Sequence, residues 1–192
     1  MNVFDFDKTI YDGDSTVDFF KYCLKKYPNI KKHLFHIAIN GIKFGLKILE
    51  KTKFKEDFYR FLTEIDDPFK AVEDFWDENE VKIKDWYLKM QKSDDVVISA
   101  SPEFLIGPIC KRLGISCMMA SRVDIHSGKY TGVNCHGEEK VVRFKQKFRN
   151  AQIHEFYSDS YSDTPLAKLA YDPIYVKGSE FEPWSEKELS KK

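Results

Sequence analysis

After residue 93, short apolar runs alternate with helix-like stretches, and that alternation restricts the fold more than any other feature of the chain. DVVISAS (95–101), ISCMMAS (115–121), IHEFYSDS (153–160) and PIYV (173–176) have the length and side chains of buried strands. Helical stretches separate them at about 102–113, 138–149 and 164–170, the first opened by Pro102 and closed by Gly114. NVFDF (2–6) reads as one more strand at the start of the chain. Strands joined by helical crossovers lie parallel, with helices on both faces of the sheet. The expected fold is α/β, a three-layer α/β/α core around a parallel sheet. The Gly-punctuated segment SRVDIHSGKYTGVNCHG (121–137) reads as a small β-hairpin excursion, and the polar tail after Val176 as peripheral.

One block breaks the alternation. Residues 15 to about 90 read as helix after helix, with breaks near Pro28, Lys51–Lys53 and Pro68. The expected organisation is a core made of 1–14 and 91–192, with an all-helical domain, 15–90, inserted after the first strand. Charge in this block is polarised. From Lys21 to Lys55 ten lysines face one acid, Glu50; from Glu56 to Glu80 ten acids face Arg60 and Lys70. The totals, 31 basic and 31 acidic residues, hide this and leave no net field to favour nucleic acid. Two helical layers attracting one another is one reading. The other starts from HLFHIAINGIKFGLKIL (33–49), an apolar segment flanked by lysines, which can make weak contact with an anionic membrane surface. No uncharged apolar stretch approaches the roughly 18 residues that span a bilayer. Acids from residue 5 onward do not fit a secretory signal, and the four cysteines form no CxxC, so free thiols in the cytoplasm are expected. The five histidines, His33, His36, His126, His136 and His154, read as structural or surface residues.

In open α/β sheets ligands bind at the carboxyl ends of the strands. The first strand ends in Asp5 and Asp7, the second at Ser99 and Ser101, and the fourth in YSDSYSD, which carries Asp159 and Asp163. Lys140 sits in the first turn of the helix before that fourth strand. Among 17 aspartates a D-x-D pair arises by chance, as Asp12 and Asp14 illustrate. The joint pattern is what points to a site: acids at two strand ends, a hydroxyl at a third and a lysine between. Several carboxylates crowded together need a counter-charge, and hard oxygen donors suit Mg²⁺, which also bridges to phosphate.

DFDKT, the hydroxyl in VVISAS, the lysine in GEEK and YSDSYSD together resemble the haloacid dehalogenase superfamily of phosphatases, in the branch that includes phosphoserine phosphatases. The resemblance covers residues 1–14 and about 93–176, and the helical block resembles that family's cap. It implies a Rossmannoid core and a Mg²⁺-dependent phosphomonoesterase acting on a small phosphorylated metabolite. It makes Asp5 the nucleophile of an aspartyl-phosphate mechanism and Asp7 the general acid and base. Asp5, Asp7 (through its carbonyl) and Asp159 would hold the metal. Thr9, Ser99, Ala100 and Lys140 would serve the phosphoryl group, supported by Ser160 and Asp163. In phosphoserine phosphatases an acidic cap residue reads the substrate amine; Asp14 falls at that position, and Arg60 is the only arginine of the block. ISASPEFLIGPI and CHGEEKVVRF also resemble a bacterial subgroup that includes a phosphatidylglycerophosphate phosphatase, so the alternative substrates are a lipid phosphate at the membrane surface or phosphoserine.

Overall fold

Which face of each strand is covered decides the architecture. A computed structural model describes residues 1–191. Strand β1 (Val3–Phe4) is followed by helices α1 (Ser15–Lys26), α2 (Leu34–Gly45), α3 (Lys51–Tyr59), α4 (Pro68–Asn79) and α5 (Asp85–Met90). Next come β2 (Val96–Pro102), α6 (Glu103–Arg112), β3 (Cys117–Ser121), α7 (Glu138–Lys147) and β4 (Ile153–Ser158). The chain continues through α8 (Thr164–Ala167), β5 (Ala170–Lys177), β6 (Glu180–Pro183) and α9 (Glu186–Leu189). The strands form one six-stranded sheet in the order β3-β2-β1-β4-β5-β6. All neighbours run parallel except β6, which pairs antiparallel with β5.

β1 lies inside the sheet, with Val3 level with Val96 and Phe156, and Phe4 level with Val97 and Tyr157. Successive strand residues face opposite sides. Phe4 and Val97 therefore join a core that includes Phe75, Trp76 and Tyr87 of the helical block. Val3, Val96, Ile98 and Phe156 join a second core with Phe144 of α7, Leu166 of α8 and Trp184. Two covered faces make the three layers expected.

The helical block is joined to the sheet by α4. Asp67 accepts the Lys70 amide at 2.9 Å, and Pro68 holds the first helical position, where its missing N–H is not needed. Trp76, fully buried, donates its indole N–H to the Leu105 carbonyl of α6 at 2.7 Å. Pro28 opens a 3₁₀ turn as anticipated. The break expected at Lys51–Lys53 instead falls at 46–50, where Lys47 has φ +58°; Lys51 is the first residue of α3.

One expectation needs narrowing and two need correction. The segment 121–137 folds back on itself only briefly, through the antiparallel bridge Val123 to Tyr130 and backbone bonds from Asp124 to Lys129 and from Thr131 to Arg122, and it adds no strand to the sheet. Its backbone packs on α3: the Tyr130 amide donates to Glu56 at 3.1 Å, and Gly128 lies so close that a Cβ would stand 2.6 Å from the Tyr59 carbonyl. The tail is not peripheral. β6 closes the sheet edge, and Trp184 is buried among Phe156, Tyr161 and Tyr175 with its N–H on the Thr164 hydroxyl. A single aromatic in a polar tail gives no periodic signal. Finally, β1 stops at Phe4.

Candidate active site

That early stop shapes the site. Asp5 still donates its amide to Tyr157 of β4 at 2.9 Å, but the chain then leaves the sheet. The amides of Ile10 and Tyr11 both return to the Phe6 carbonyl at 2.9 Å, and Lys8, with φ +56°, donates its amide to Gly13 at 2.8 Å. Phe6 and Tyr11 pin this turn edge-on against Trp76, at 6.0 and 5.5 Å between ring centres. A shared face of a strand therefore does not bring Asp7 near Asp5; the turn does. It hands the Asp7 carboxylate to the Ser15 amide, 2.6 Å away at the start of α1, and to the Ser101 hydroxyl at the end of β2.

Lys140 reaches the same edge from α7, whose start is set by Gly137 at φ +59°. Its ammonium lies 2.8 Å from Asp5 and 2.7 Å from Asp163. All three are buried, Lys140 to 2% exposure. A buried ammonium is tolerated only with close partners, and here it has two carboxylates. Asp163 is fixed in turn by the Ser158 hydroxyl at 2.8 Å. It ends the 3₁₀ turn Tyr161–Asp163, which Ser160 caps through the Ser162 amide.

The other predicted residues divide. Asp159, half-buried, follows β4 and donates its amide to Thr9 at 3.0 Å. Thr9 is itself fully buried, so its hydroxyl is used in tying the β1 turn to the β4 turn. The Ser99 hydroxyl is fully buried and accepts the Ser101 amide at 3.1 Å. Ser101, two residues on, is the serine that touches Asp7. A cavity of about 350 Å³ opens beside Asp7 between α1, α3 and the end of β2. Asp14, Ala100 and Ser101 line it, and Asp14 also caps α1 through the Val17 amide at 3.0 Å. Arg60 is not brought to this cavity; it lines a separate one with Lys32, His33 and His36. Two residues not singled out do line it: Lys51 and Lys55 of α3. Their i, i+4 spacing was visible in the sequence, but not the direction in which that face of α3 points.

Residues 3–168 match the model of haloacid dehalogenase-like hydrolases. The chain belongs to that family. A Mycobacterium tuberculosis protein named as a probable phosphatase is 38% identical over 85 residues, 41% of this chain and 30% of that one. The histidinol-phosphatase of Neisseria meningitidis is 30% identical over 100 residues, 46% of this chain and 45% of that enzyme. The matched stretch is thus less than half the length of either relative. A Bordetella pertussis protein of unknown function shares the fold, with a TM-score of 0.73 and 20% identity over 91% of this chain and 88% of that one. A phosphoserine phosphohydrolase-like protein of Francisella tularensis superposes with a TM-score of 0.58 and 16% identity, covering 93% and 88% of the two chains.

Electrostatics at this hydrolase-family site are dominated by burial. The Asp5 carboxyl is raised to about 7: burial is the largest cause, Lys140 opposes it, and Asp163 and Asp7 add to it. Asp7 is raised by burial and by the charge of Asp14, against the hydrogen bonds from Ser101 and Ser15. Asp159 is raised by burial, partly offset by Lys8. Burial works against the charge of Lys140, yet Asp163 and Asp5 hold its pKa above the ordinary lysine value. His136, half-buried, is lowered by burial and by Lys51, which places a further basic group near the lysines. Among the described residues no three carboxylate, histidine or cysteine side chains form a closed metal cage, and no helix is long and apolar enough to cross a membrane.

Proposed function

We propose that this chain is a Mg²⁺-dependent phosphomonoesterase working through an aspartyl-phosphate on Asp5, with residues 15–90 as the cap over a core built from the flanking segments. The observation that carries the reading is the division of roles between two neighbouring carboxylates. Asp5 is held against the Lys140 ammonium at 2.8 Å, which favours the ionised form. Asp7 has no cationic partner within 4.0 Å among the described residues and is held only by the Ser15 amide and the Ser101 hydroxyl, so no neighbouring cation opposes its protonation as Lys140 opposes that of Asp5. A nucleophile needs the first state and a general acid the second.

An Asp5 oxygen attacks phosphorus while the bond to the leaving oxygen breaks, and Asp7 gives its proton to that oxygen. Asp7, now ionised, takes a proton from water. The resulting hydroxide attacks phosphorus, the bond to Asp5 breaks, and inorganic phosphate leaves. Lys140 and the Ser101 hydroxyl would offset charge on the phosphoryl oxygens, a reading supported by their contacts with Asp5 and Asp7.

The donors present fit Mg²⁺. Asp5, buried, and Asp159, half-buried, are carboxylates whose pKa values burial has raised, and a cation would restore their charge. Two carboxylates and the Asp7 carbonyl leave the remaining positions to water and phosphate, the mode Mg²⁺ favours. Bound there, the ion would neutralise phosphoryl charge. The test is phosphate release from an aryl phosphate with Mg²⁺, with EDTA, and in Asp5→Asn. Turnover that survives chelation or the substitution would overturn the reading.

A second reading has its own observation. α2 buries none of its residues, and Phe35, Ile42, Leu46 and Ile48 stand exposed beside Lys31, Lys32, Lys43 and Lys47. An apolar, lysine-rimmed surface suits a substrate delivered from an anionic bilayer, such as a lipid phosphate. Sedimentation with anionic and neutral vesicles tests it; absence of binding at low salt removes it.

A further inference from the structure

The cavity has a second charged wall. Lys51 and Lys55 are one helical turn apart on α3, and both line it opposite Asp7 and Ser101. Lys55 is half-buried, and its ammonium touches only neutral oxygens: the Ala100 carbonyl at 3.0 Å and the Asn134 amide oxygen at 3.4 Å. Among the described residues no carboxylate lies within 4.0 Å of either ammonium. Lys53, which points away from the cavity on the same helix, does have carboxylates, Glu56 and Asp57, at 3.7 and 3.9 Å. The acids of α3 pair with Lys53 and not with the lysines that line the cavity. Partly burying a cation without an anion is unfavourable, so Lys55, with the exposed Lys51 one turn away, stands ready for an anion that the protein does not supply. The surroundings agree: burial, then the neighbouring Lys51, pulls the Lys55 pKa down to about 8, as expected of crowded cations.

The phosphoryl group itself is served elsewhere. Lys140 and Ser101 project from the sheet edge, whereas Lys51 and Lys55 come from the helical block, on the side where a leaving group would extend. Phe54, Phe58 and Val17 line the cavity around the lysines. We infer that Lys51 and Lys55 form a subsite for a second anionic group on the leaving portion of the substrate. The substrate class is then a phosphate monoester that also carries a carboxylate or second phosphate near an apolar stem. The inference rests on the phosphatase reading for the position of the phosphoryl group.

The experiment measures binding, so that it stands apart from turnover. Asp5→Asn protein with Mg²⁺ is titrated calorimetrically with phosphoglycolate and ethyl phosphate, which differ only in the carboxylate. A four-carbon phosphocarboxylate and butyl phosphate repeat the comparison at longer reach. At least one carboxylate-bearing ligand should bind about tenfold or more tightly than its partner, the effect of a charge-assisted hydrogen bond. Lys51→Gln should bring that ratio down to within about threefold, and Lys51→Arg should restore it. Lys51 is exposed, so the substitution leaves the fold intact; Lys55→Gln repeats the test nearer the floor. Ratios near one for both pairs, or a ratio untouched by both glutamine variants, would overturn the inference. An equal loss for both members of a pair would also overturn it, by assigning the lysines to the phosphoryl group. Aryl phosphate turnover by the unaltered protein, measured alongside, decides the phosphatase reading separately.

Discussion

The sheet edge and α3 meet at one cavity, which Asp7 and Ser101 line together with Lys51 and Lys55, and they handle charge in opposite ways. At the sheet edge the buried Lys140 sits between Asp5 and Asp163, and Asp163 is braced by Ser158. On α3, Lys51 and Lys55 line the cavity with no carboxylate beside them, while the outward Lys53 has two. A wall whose charges are already paired is rigid and suits a group that never changes, such as the phosphoryl group. A wall whose cations are left unpaired loses stability and gains a subsite that only the right ligand completes.

The largest effects should come from the paired wall. Asp5→Asn keeps shape and removes the nucleophile, so phosphate release should fall by at least about 1,000-fold with the far-ultraviolet spectrum unchanged. Lys140→Met leaves two buried carboxylates facing each other; urea unfolding should show a loss of about 3–5 kcal/mol, alongside lost turnover. Lys55→Met is the counterpart on the unpaired wall. It removes a cation that burial disfavours along with two bonds to neutral oxygens, and should shift stability by no more than about 1 kcal/mol. A loss as large as that for Lys140→Met would erase the contrast between the walls.

The paired wall was legible in the sequence, and the other was not. Asp5, Lys140 and Asp163 follow from strand order, because a parallel sheet gathers the carboxyl ends of its strands wherever they fall in the chain. Ser99 and Ser101 of VVISAS are two residues apart and share a face of a regular strand, so the pattern alone does not choose between them. β2 extends to Pro102, with a register shift against β3 between Ile98 and Pro102, and it is the Ser101 hydroxyl, further along the strand, that reaches Asp7. The turn after Phe4 is closed by Gly13 and by Trp76 of α4, contacts with no local signature. Of the cations in the block the sequence singles out Arg60, yet it is Lys55, five residues earlier, that lines the cavity beside Asp7. They diverge because α3 passes into a 3₁₀ turn at Arg60, which carries that side chain to the outer cavity. Trp184 was missed for the same reason as the lysines: its partners belong to β4, β5 and the turn before α8.

A pH titration gives a smaller effect with a definite sign. The Lys55 pKa lies at about 8, below the ordinary lysine value of 10.5, with burial as the first cause and Lys51 the second; Asp7 and Asp14 oppose the shift and Lys140 adds to it. The folded state thus disfavours the proton that the unfolded state keeps. Below about pH 8 both states carry it, and the penalty is constant; between about pH 8 and 10.5 the folded state has released it, and this group's contribution to stability rises with pH. Binding runs the other way. The preference for a second anion should weaken, by a few fold, as pH passes through about 8. Lys55→Arg should remove that step, because a guanidinium stays charged throughout. A preference that is flat from pH 7 to 9 in the unaltered protein would remove Lys55 from the subsite.

The smallest expected effect separates α2 from the cavity altogether. α4 and α2 are both twelve residues long, yet α4 buries Ala71, Val72, Phe75 and Trp76, and α2, although rich in apolar residues, buries none. Apolar content alone therefore does not bring a helix into the core; α4 turns its apolar stripe to the sheet, and its acids face Arg112 and solvent. Phe35→Ser and Ile42→Ser remove side chains that are 72% and 64% exposed. Each should change unfolding stability by no more than about 0.5 kcal/mol and leave the phosphocarboxylate preference where it was. Binding to anionic vesicles is what they should reduce, since each removes apolar area from the surface that would enter the headgroup layer. If stability instead fell by several times that amount, α2 would be covered in solution, and the apolar face would belong to packing rather than to a bilayer.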